Sequence, residues 1–256
     1  MLPWTIRRWL GLPDPQTDRT PVRPAVVRPP NPAWDHSLAA AIRAERDALE
    51  PYAAYARWLT ANNDPRGALI EGDEAMLGRH PHHFFGPLAR ADGVRVTWRL
   101  GFWESVVIER DWDAREVPAL VAEALRHPSA LVLDRLEVHA DCIPDLADRL
   151  ADGDVLPLRT LVVDARGGLL GAWAAVWSRM PELRQLEMTG DAPSLGDIDL
   201  PSLQKLRIDG RLDESSQWSI ARMAAPALQR VELGCELGPE PAEQLARRFP
   251  NIGCSG

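Results

Sequence analysis

The chain has 256 residues, a net charge of −8, 45% apolar and 26% charged residues, which is enough apolar material for one or two globular domains with a real core. Three cysteines are too few for a disulfide framework, and no apolar run reaches the length of a transmembrane helix. The first twelve residues lack a long apolar stretch and a small-residue cleavage site, so a cytoplasmic location is expected.

Lys205 is the single lysine against 28 arginines, a bias that GC-rich codon usage explains. The charge is unevenly placed. Residues 1–32 hold five arginines and two aspartates, a net +3, whereas residues 96–256 hold 17 basic and 26 acidic side chains, a net −9. Such an acidic body repels phosphate backbones, so nucleic acid is disfavoured as the main ligand.

Residues 1–32 also hold eight of the 23 prolines. That density cannot sustain a helix or a central strand, and residues 22–32 read as polyproline II or extended coil. Ahead of them, Trp4, Ile6, Arg7, Arg8, Trp9 and Leu10 form a short apolar and basic segment, with room for one or two helical turns before Gly11 and Pro13. Three readings stand open: a disordered tail, a docking peptide anchored by Trp4 and Trp9, or a segment folded back on its own domain.

Residues 33–99 read as a helical domain. Ser37 is placed as the cap of a first helix with Leu38, Ile42, Glu45 and Leu49 on one face. Pro51 fits the first turn of a second helix, which carries Tyr52, Tyr55 and Leu59. A turn at residues 62–65 leads into a third helix from Arg66, with Leu69, Ile70, Met76 and Leu77 as its apolar positions. Asp64 caps it, Pro65 takes its first position, and Arg66 is free to hold a neighbouring carboxylate. The runs Tyr55-Ala56-Arg57-Trp58-Leu59 and Asp64-Pro65-Arg66-Gly67-Ala68-Leu69-Ile70 resemble the small bacterial repeat-companion domain, except that Arg57 replaces an aspartate. The resemblance covers about residues 35–110. It implies an architecture, with leucine-rich repeats to follow, and no chemistry.

Residues 100–256 repeat themselves. Leu133, Leu136 and Val138 are followed by Leu158, Leu161 and Val163, then Leu183, Leu186 and Met188, then Leu203, Leu206 and Ile208, then Leu228, Val231 and Leu233. The intervals are 25, 25, 20 and 25 residues, with Pro181, Pro201 and Pro226 each two places before a start. This resembles a short leucine-rich-repeat solenoid of five to six units, α/β in class, with one strand per unit stacked on the next. Helical spacing is seen at Leu120 to Leu125, at Ile143, Leu146 and Leu150, at Trp173, Val176, Trp177 and Met180, at Ile220 and Met223, and at Leu245 with Phe249. The 20-residue unit predicts an irregular turn without a helix. Residues 106–108 predict an added first strand, and the last unit is truncated at Ile252. The usual Asn or Cys of the turn after the strand is replaced by Asp141, Arg166, Asp191, Arg211 and Glu236, which predicts uneven geometry.

The outward strand positions form three columns. One is Glu137, Val162, Glu187, Arg207 and Glu232. The next is His139, Asp164, Thr189, Asp209 and Gly234. The third is Arg135, Thr160, Gln185, Lys205 and Arg230. They make either a polar binding face or a solvated sheet. The order His139, Asp164, Thr189 fails as a catalytic triad, because the acid lies between base and nucleophile. His80, His82 and His83 lack a metal-ligand spacing, and Gly167 and Gly168 read as a turn without a phosphate-loop lysine. Cys142, Cys235 and Cys254 are taken as buried or incidental thiols. No catalytic residue, metal or cofactor is assigned.

The expected function is a non-enzymatic protein-binding scaffold or adaptor. Its contacts are Glu137, His139, Asp164, Glu187, Arg207, Asp209, Arg230 and Glu232, with Trp4 and Trp9 anchoring the arm. The alternative is a structural subunit docked by that arm into a larger assembly. The partner is another protein, with no nucleic acid and no membrane span. The oligomeric state is left open.

Overall fold

A computed structural model describes residues 35–110, 116–141, 143–250 and 254–255. The arm, with Trp4 and Trp9, lies outside the described residues, as does Cys142.

The chain is α/β, built on one mostly parallel sheet. Its strands follow chain order: β1 (Val94–Arg99), β2 (Phe102–Arg110), β3 (Arg135–Ala140), β4 (Thr160–Leu169), β5 (Gln185–Asp191), β6 (Lys205–Asp209), β7 (Arg230–Leu233) and β8 (Cys254–Ser255). Only β1 and β2 pair antiparallel, and every later pair is parallel. Each strand from β3 to β7 starts at the third position of its repeat motif.

A shared turn sets that start. The N–H groups of Leu133, Leu183, Leu203 and Leu228 donate to the carbonyls of Ala130, Met180, Leu200 and Ala225. Pro181, Pro201 and Pro226 stand just after the acceptor, where proline's fixed φ suits a turn. The strand then joins its neighbour through one doubly used carbonyl. Asp134 O accepts from Arg159 and Thr160, Arg159 O from Arg184 and Gln185, Arg184 O from Gln204 and Lys205, and Gln204 O from Gln229 and Arg230.

Burial alternates along the strands. Leu136, Val138, Leu161, Val163, Leu186, Met188, Leu206, Ile208 and Val231 are at most 1% exposed, while their neighbours point to the other face and stay half-exposed. The buried face packs against α6 (Glu116–Leu125), α7 (Leu146–Ala151), α8 (Glu214–Arg222) and α9 (Pro239–Arg248) through Val121, Leu146, Ile220 and Leu245. Between β5 and β6 the chain makes no helix, only an irregular path bridged at Ala172–Ser194 and Asp199–Ala224.

Several expectations are corrected. Asp35, not Ser37, caps α1 (His36–Ala44), because its carboxylate reaches the N–H groups of Ser37 and Leu38. That helix ends before Leu49, which is exposed. After α2 (Glu50–Ala61) the third helix breaks at Gly72 into α3 (Arg66–Ile70) and α4 (Ala75–Arg79), followed by α5 (Pro81–Phe85). Trp173 and Trp177 are core, but on a turn and a 3-10 helix, where each indole N–H donates to a backbone carbonyl, of Leu170 and Leu195. Gly167 and Gly168 belong to β4, whose pairing shifts after Asp164, where Arg166 and Gly167 take positive φ. Strand β1 lies inside the stretch expected to be helical, and β8 continues the sheet beyond Ile252.

The helical segment is tied to the stack by Arg46. Its side chain is 5% exposed; Nη1 donates to Pro157 O at 2.6 Å, Nη2 to Glu182 Oε2 at 2.8 Å, and Asp134 lies at 3.8 Å. One side chain thus touches the approach to β3, β4 and β5. Tyr52 Oη donates to the Arg46 carbonyl at 3.0 Å and fixes the loop that presents it.

Two substitutions test these constraints. Arg46→Met removes the polar bridge and leaves the Pro157 carbonyl short of a donor, so urea denaturation should show a loss of roughly 2 kcal/mol, and amide exchange in residues 36–61 should rise first. Gly210 has φ 134°, and an added Cβ would meet Gly190 O at 2.0 Å on the adjacent strand. Gly210→Ala should therefore cost about 2–4 kcal/mol by the same measurement.

Candidate functional site: the open face of the sheet

The sheet face away from the helices carries the three predicted columns. Glu137, Val162, Glu187, Arg207 and Glu232 are paired in register across β3 to β7. His139, Asp164, Thr189 and Asp209 form the second row, and Arg135, Thr160, Gln185, Lys205 and Arg230 the third. A one-residue slip would turn all of them into the core, so the apolar face fixes this display.

The charges neutralise one another locally. Arg135 Nε lies 2.5 Å from Glu137 Oε1. The His139 ring sits between two carboxylates, with Nε2 3.3 Å from Glu137 and Nδ1 3.4 Å from Asp164. Lys205 and Gln185 both donate to Glu187 Oε1, at 2.8 and 2.7 Å. Arg230 lies 2.5 Å from Glu232, and Arg207 reaches it at 4.0 Å. Burial alone would raise the pKa of Glu137 and Glu187. The hydrogen bonds from Arg135 and His139, and from Lys205 and Gln185, outweigh it and hold both below the usual carboxylate range.

Eight of the ten predicted contact residues therefore share this one face. They fall into three groups, Glu137–His139–Asp164, Glu187 with Lys205, and Arg207–Arg230–Glu232, with Asp209 packed close to Gly234. The other two, Trp4 and Trp9, lie outside the described residues. Sequence reasoning missed the extension of the face onto the hairpin, where Arg95 grips Glu109 with two hydrogen bonds of 2.7 and 3.0 Å. The signal was the period-2 run Val94, Val96, Trp98 against Arg95, Thr97, Arg99.

A second polar cluster sits under the helical segment. Asp64 accepts from the Arg66 N–H at 2.9 Å and from its guanidinium at 3.2 and 2.8 Å, and lies 3.0 Å from His83 Nε2. Arg66 thus holds the carboxylate of its own motif. Burial would raise the Asp64 pKa, but His83 and Arg66 bring it down to about 2. His80 and His82 do not join this contact, and among the described residues no group of three His, Cys, Asp or Glu side chains is placed to hold a metal.

Next to it, His127 stacks on Trp103 with centroids 4.9 Å apart, and its Nδ1 accepts from the Ser129 N–H at 3.2 Å. Burial, then the charges of Arg66 and His83, lower its pKa to about 4 against a hydrogen bond to the His83 backbone. The folded chain thus keeps this ring neutral. Among the described residues no helix is long and apolar enough to cross a membrane. Comparison of the chain with profiles of known families, with curated proteins and with solved structures gave no match.

The two shifts act in separate pH windows. Protonation of His127 is favoured by the unfolded chain below about 6.5, so its contribution is whole above that pH. It fades as pH falls to about 4, by roughly 3 kcal/mol. Asp64 stabilises above about 3.8 and its share is lost as pH falls through about 2. Chemical denaturation at pH 7, 5.5 and 4.5 should show the first loss, and His127→Gln should flatten it.

Proposed function

We propose that the chain is a leucine-rich-repeat solenoid that binds another protein through the open face of its sheet, with the N-terminal arm as a second contact. The observation that carries this is a parallel sheet with a half-exposed polar face. Parallel sheets are ordinarily covered on both sides. Here the helices pack on one, and the other displays fixed rows of charge across at least five strands. Exposed ion pairs of this kind add about 0–1 kcal/mol each to stability, so their value lies in recognition.

The face supports binding better than catalysis. Both ring nitrogens of His139 face carboxylates, Glu137 on one side and Asp164 on the other, which leaves neither to deprotonate Thr189. The mixed sign of the rows fits a partner surface that offers both charges. A polyanion would meet Glu137, Asp164, Glu187, Asp209 and Glu232 together.

The test is affinity capture from the native cell with the full chain as bait. Arg207→Glu combined with Arg230→Glu changes exposed side chains and leaves the core intact. Specific partners should fall by about tenfold or more in recovery, with the circular dichroism spectrum unchanged. Recovery unchanged from that of the unaltered chain, both in this variant and in one lacking residues 1–32, would sink the reading.

A further inference from the structure

Strand β1 is the outer strand of the sheet and pairs only with β2. The Glu109 N–H donates to Gly93 O at 2.8 Å, which marks Gly93 and Glu109 as a hydrogen-bonded pair. Such pairs alternate along an antiparallel ladder. Arg95 and Thr97 therefore turn their backbone groups toward β2, and Val94 and Val96 turn theirs outward. Among the described residues these outward groups have no backbone partner.

An apolar groove of about 570 Å³ runs along this edge. Residues 94–98 line it without a break. Consecutive side chains point to opposite faces of a sheet, so a hollow touched by all five lies beside the strand and not over one face. The far wall is helical, with Leu69 from α3, Leu77 from α4 and Phe85 from α5. At the hairpin turn, a Cβ added to Gly101 would come within 2.4 Å of Ile70 Cγ1. That close approach fixes the strand and the helical wall to each other, so the groove is preformed.

We propose that the groove takes an extended segment of a partner protein, which joins the sheet as one more strand beside β1. Backbone chemistry selects this occupant. Outward N–H and C=O groups at every second residue match an extended chain, whereas a helix has already used its own and a small apolar molecule has none. The two walls then set the side chains. On the inner face the added strand would continue the row of Val94, Val96 and Trp98, which pack on the main core, and would meet Leu69, Leu77 and Phe85. Its alternate residues would continue the exposed row of Arg95 and Thr97. The segment is therefore alternately apolar and polar.

Charge adds a flank. Glu74, on the helical wall, is exposed and forms no ion pair among the described residues, whereas Arg95 is already held by Glu109 through two hydrogen bonds. The unmatched charge of the groove is thus negative, and it selects a basic residue at one end of the segment. A second copy of this chain fits poorly, because its own β1 carries the same helical wall, and the two walls would meet before the strands. The site is separate from the charged rows of the open face and does not need that reading; the two are tested by different variants.

The test uses the full chain and an array of labelled octapeptides with valine, isoleucine or leucine at alternate positions, threonine between them and lysine at one end. Fluorescence anisotropy should detect binding. N-methylation of two alternate amides in one register should weaken it about tenfold, and the same change in the other register should not. Val96→Pro removes one outward N–H at an edge position where proline costs no ladder bond, so it should weaken binding with the circular dichroism spectrum unchanged. Glu74→Lys should favour peptides whose terminal lysine is replaced by glutamate. Amide exchange should be fast at Val94 and Val96 in the free chain and slow about tenfold with peptide bound. Absence of binding across the array, or binding indifferent to N-methylation, would overturn the proposal. Protection of Val94 and Val96 already present in the free chain would also overturn it. Light scattering would then assign the cover, to a second copy if the chain is a dimer and to the same chain if it is a monomer.

Discussion

A single strand of this protein cannot bury its own apolar residues; it needs the next strand beside it and a helix or turn behind it. That requirement governs the molecule. From β3 to β7 the chain returns every 20 or 25 residues to add one strand in the same register. Because side chains alternate along a strand, the register that buries Leu136, Leu161, Leu186, Leu206 and Val231 also presents Glu137, Val162, Glu187, Arg207 and Glu232. Core and display are one constraint seen from two sides. The close approach of Gly190 and Gly210 belongs to it as well, since the strands meet there without room for a Cβ.

The helical segment depends on that stack. Arg46 takes its acceptors from the starts of three consecutive units, so its contacts exist only when those units are in place. The hairpin of β1 and β2 works from the other side. Phe102 packs with Tyr52 and Tyr55, while Trp103 stacks on His127. These aromatic contacts join the second apolar cluster to the main core through adjacent residues of one strand that point to opposite sides. The Asp64 cluster then holds the turn between α2 and α3, where Asn63 takes a positive φ.

The polar surfaces follow different rules. On the open face, acids and bases sit at neighbouring register positions and satisfy each other at the surface, which costs little. Around His127 and Asp64 the same kinds of group are buried, and burial makes their protonation part of the folding equilibrium. The groove beside β1 follows neither rule. It is apolar, open and bordered by a strand edge, the combination that folded proteins usually cover.

Much of this was legible in the amino-acid order. The apolar triplets located β3 to β7, because strand stacking demands them at a fixed interval. The columns of the open face followed by simple alternation, so eight candidate contacts could be named and fall on one face. The short unit between β5 and β6 lacks a helix for want of residues. The rest depended on partners distant in sequence. Arg46 has no local mark, since its acceptors lie 111 and 136 residues away. His127 was silent because only the stacked Trp103 and the neighbouring Arg66 and His83 make it a neutral buried ring. Trp173 and Trp177 keep helical spacing, yet their indole N–H groups bond backbone carbonyls of a turn. The groove arises only where β1 meets α3 to α5. Periodicity is a local property and the sequence carries it; satisfaction of buried polar groups, and the hollows left between elements, are decided by the packing of the whole chain.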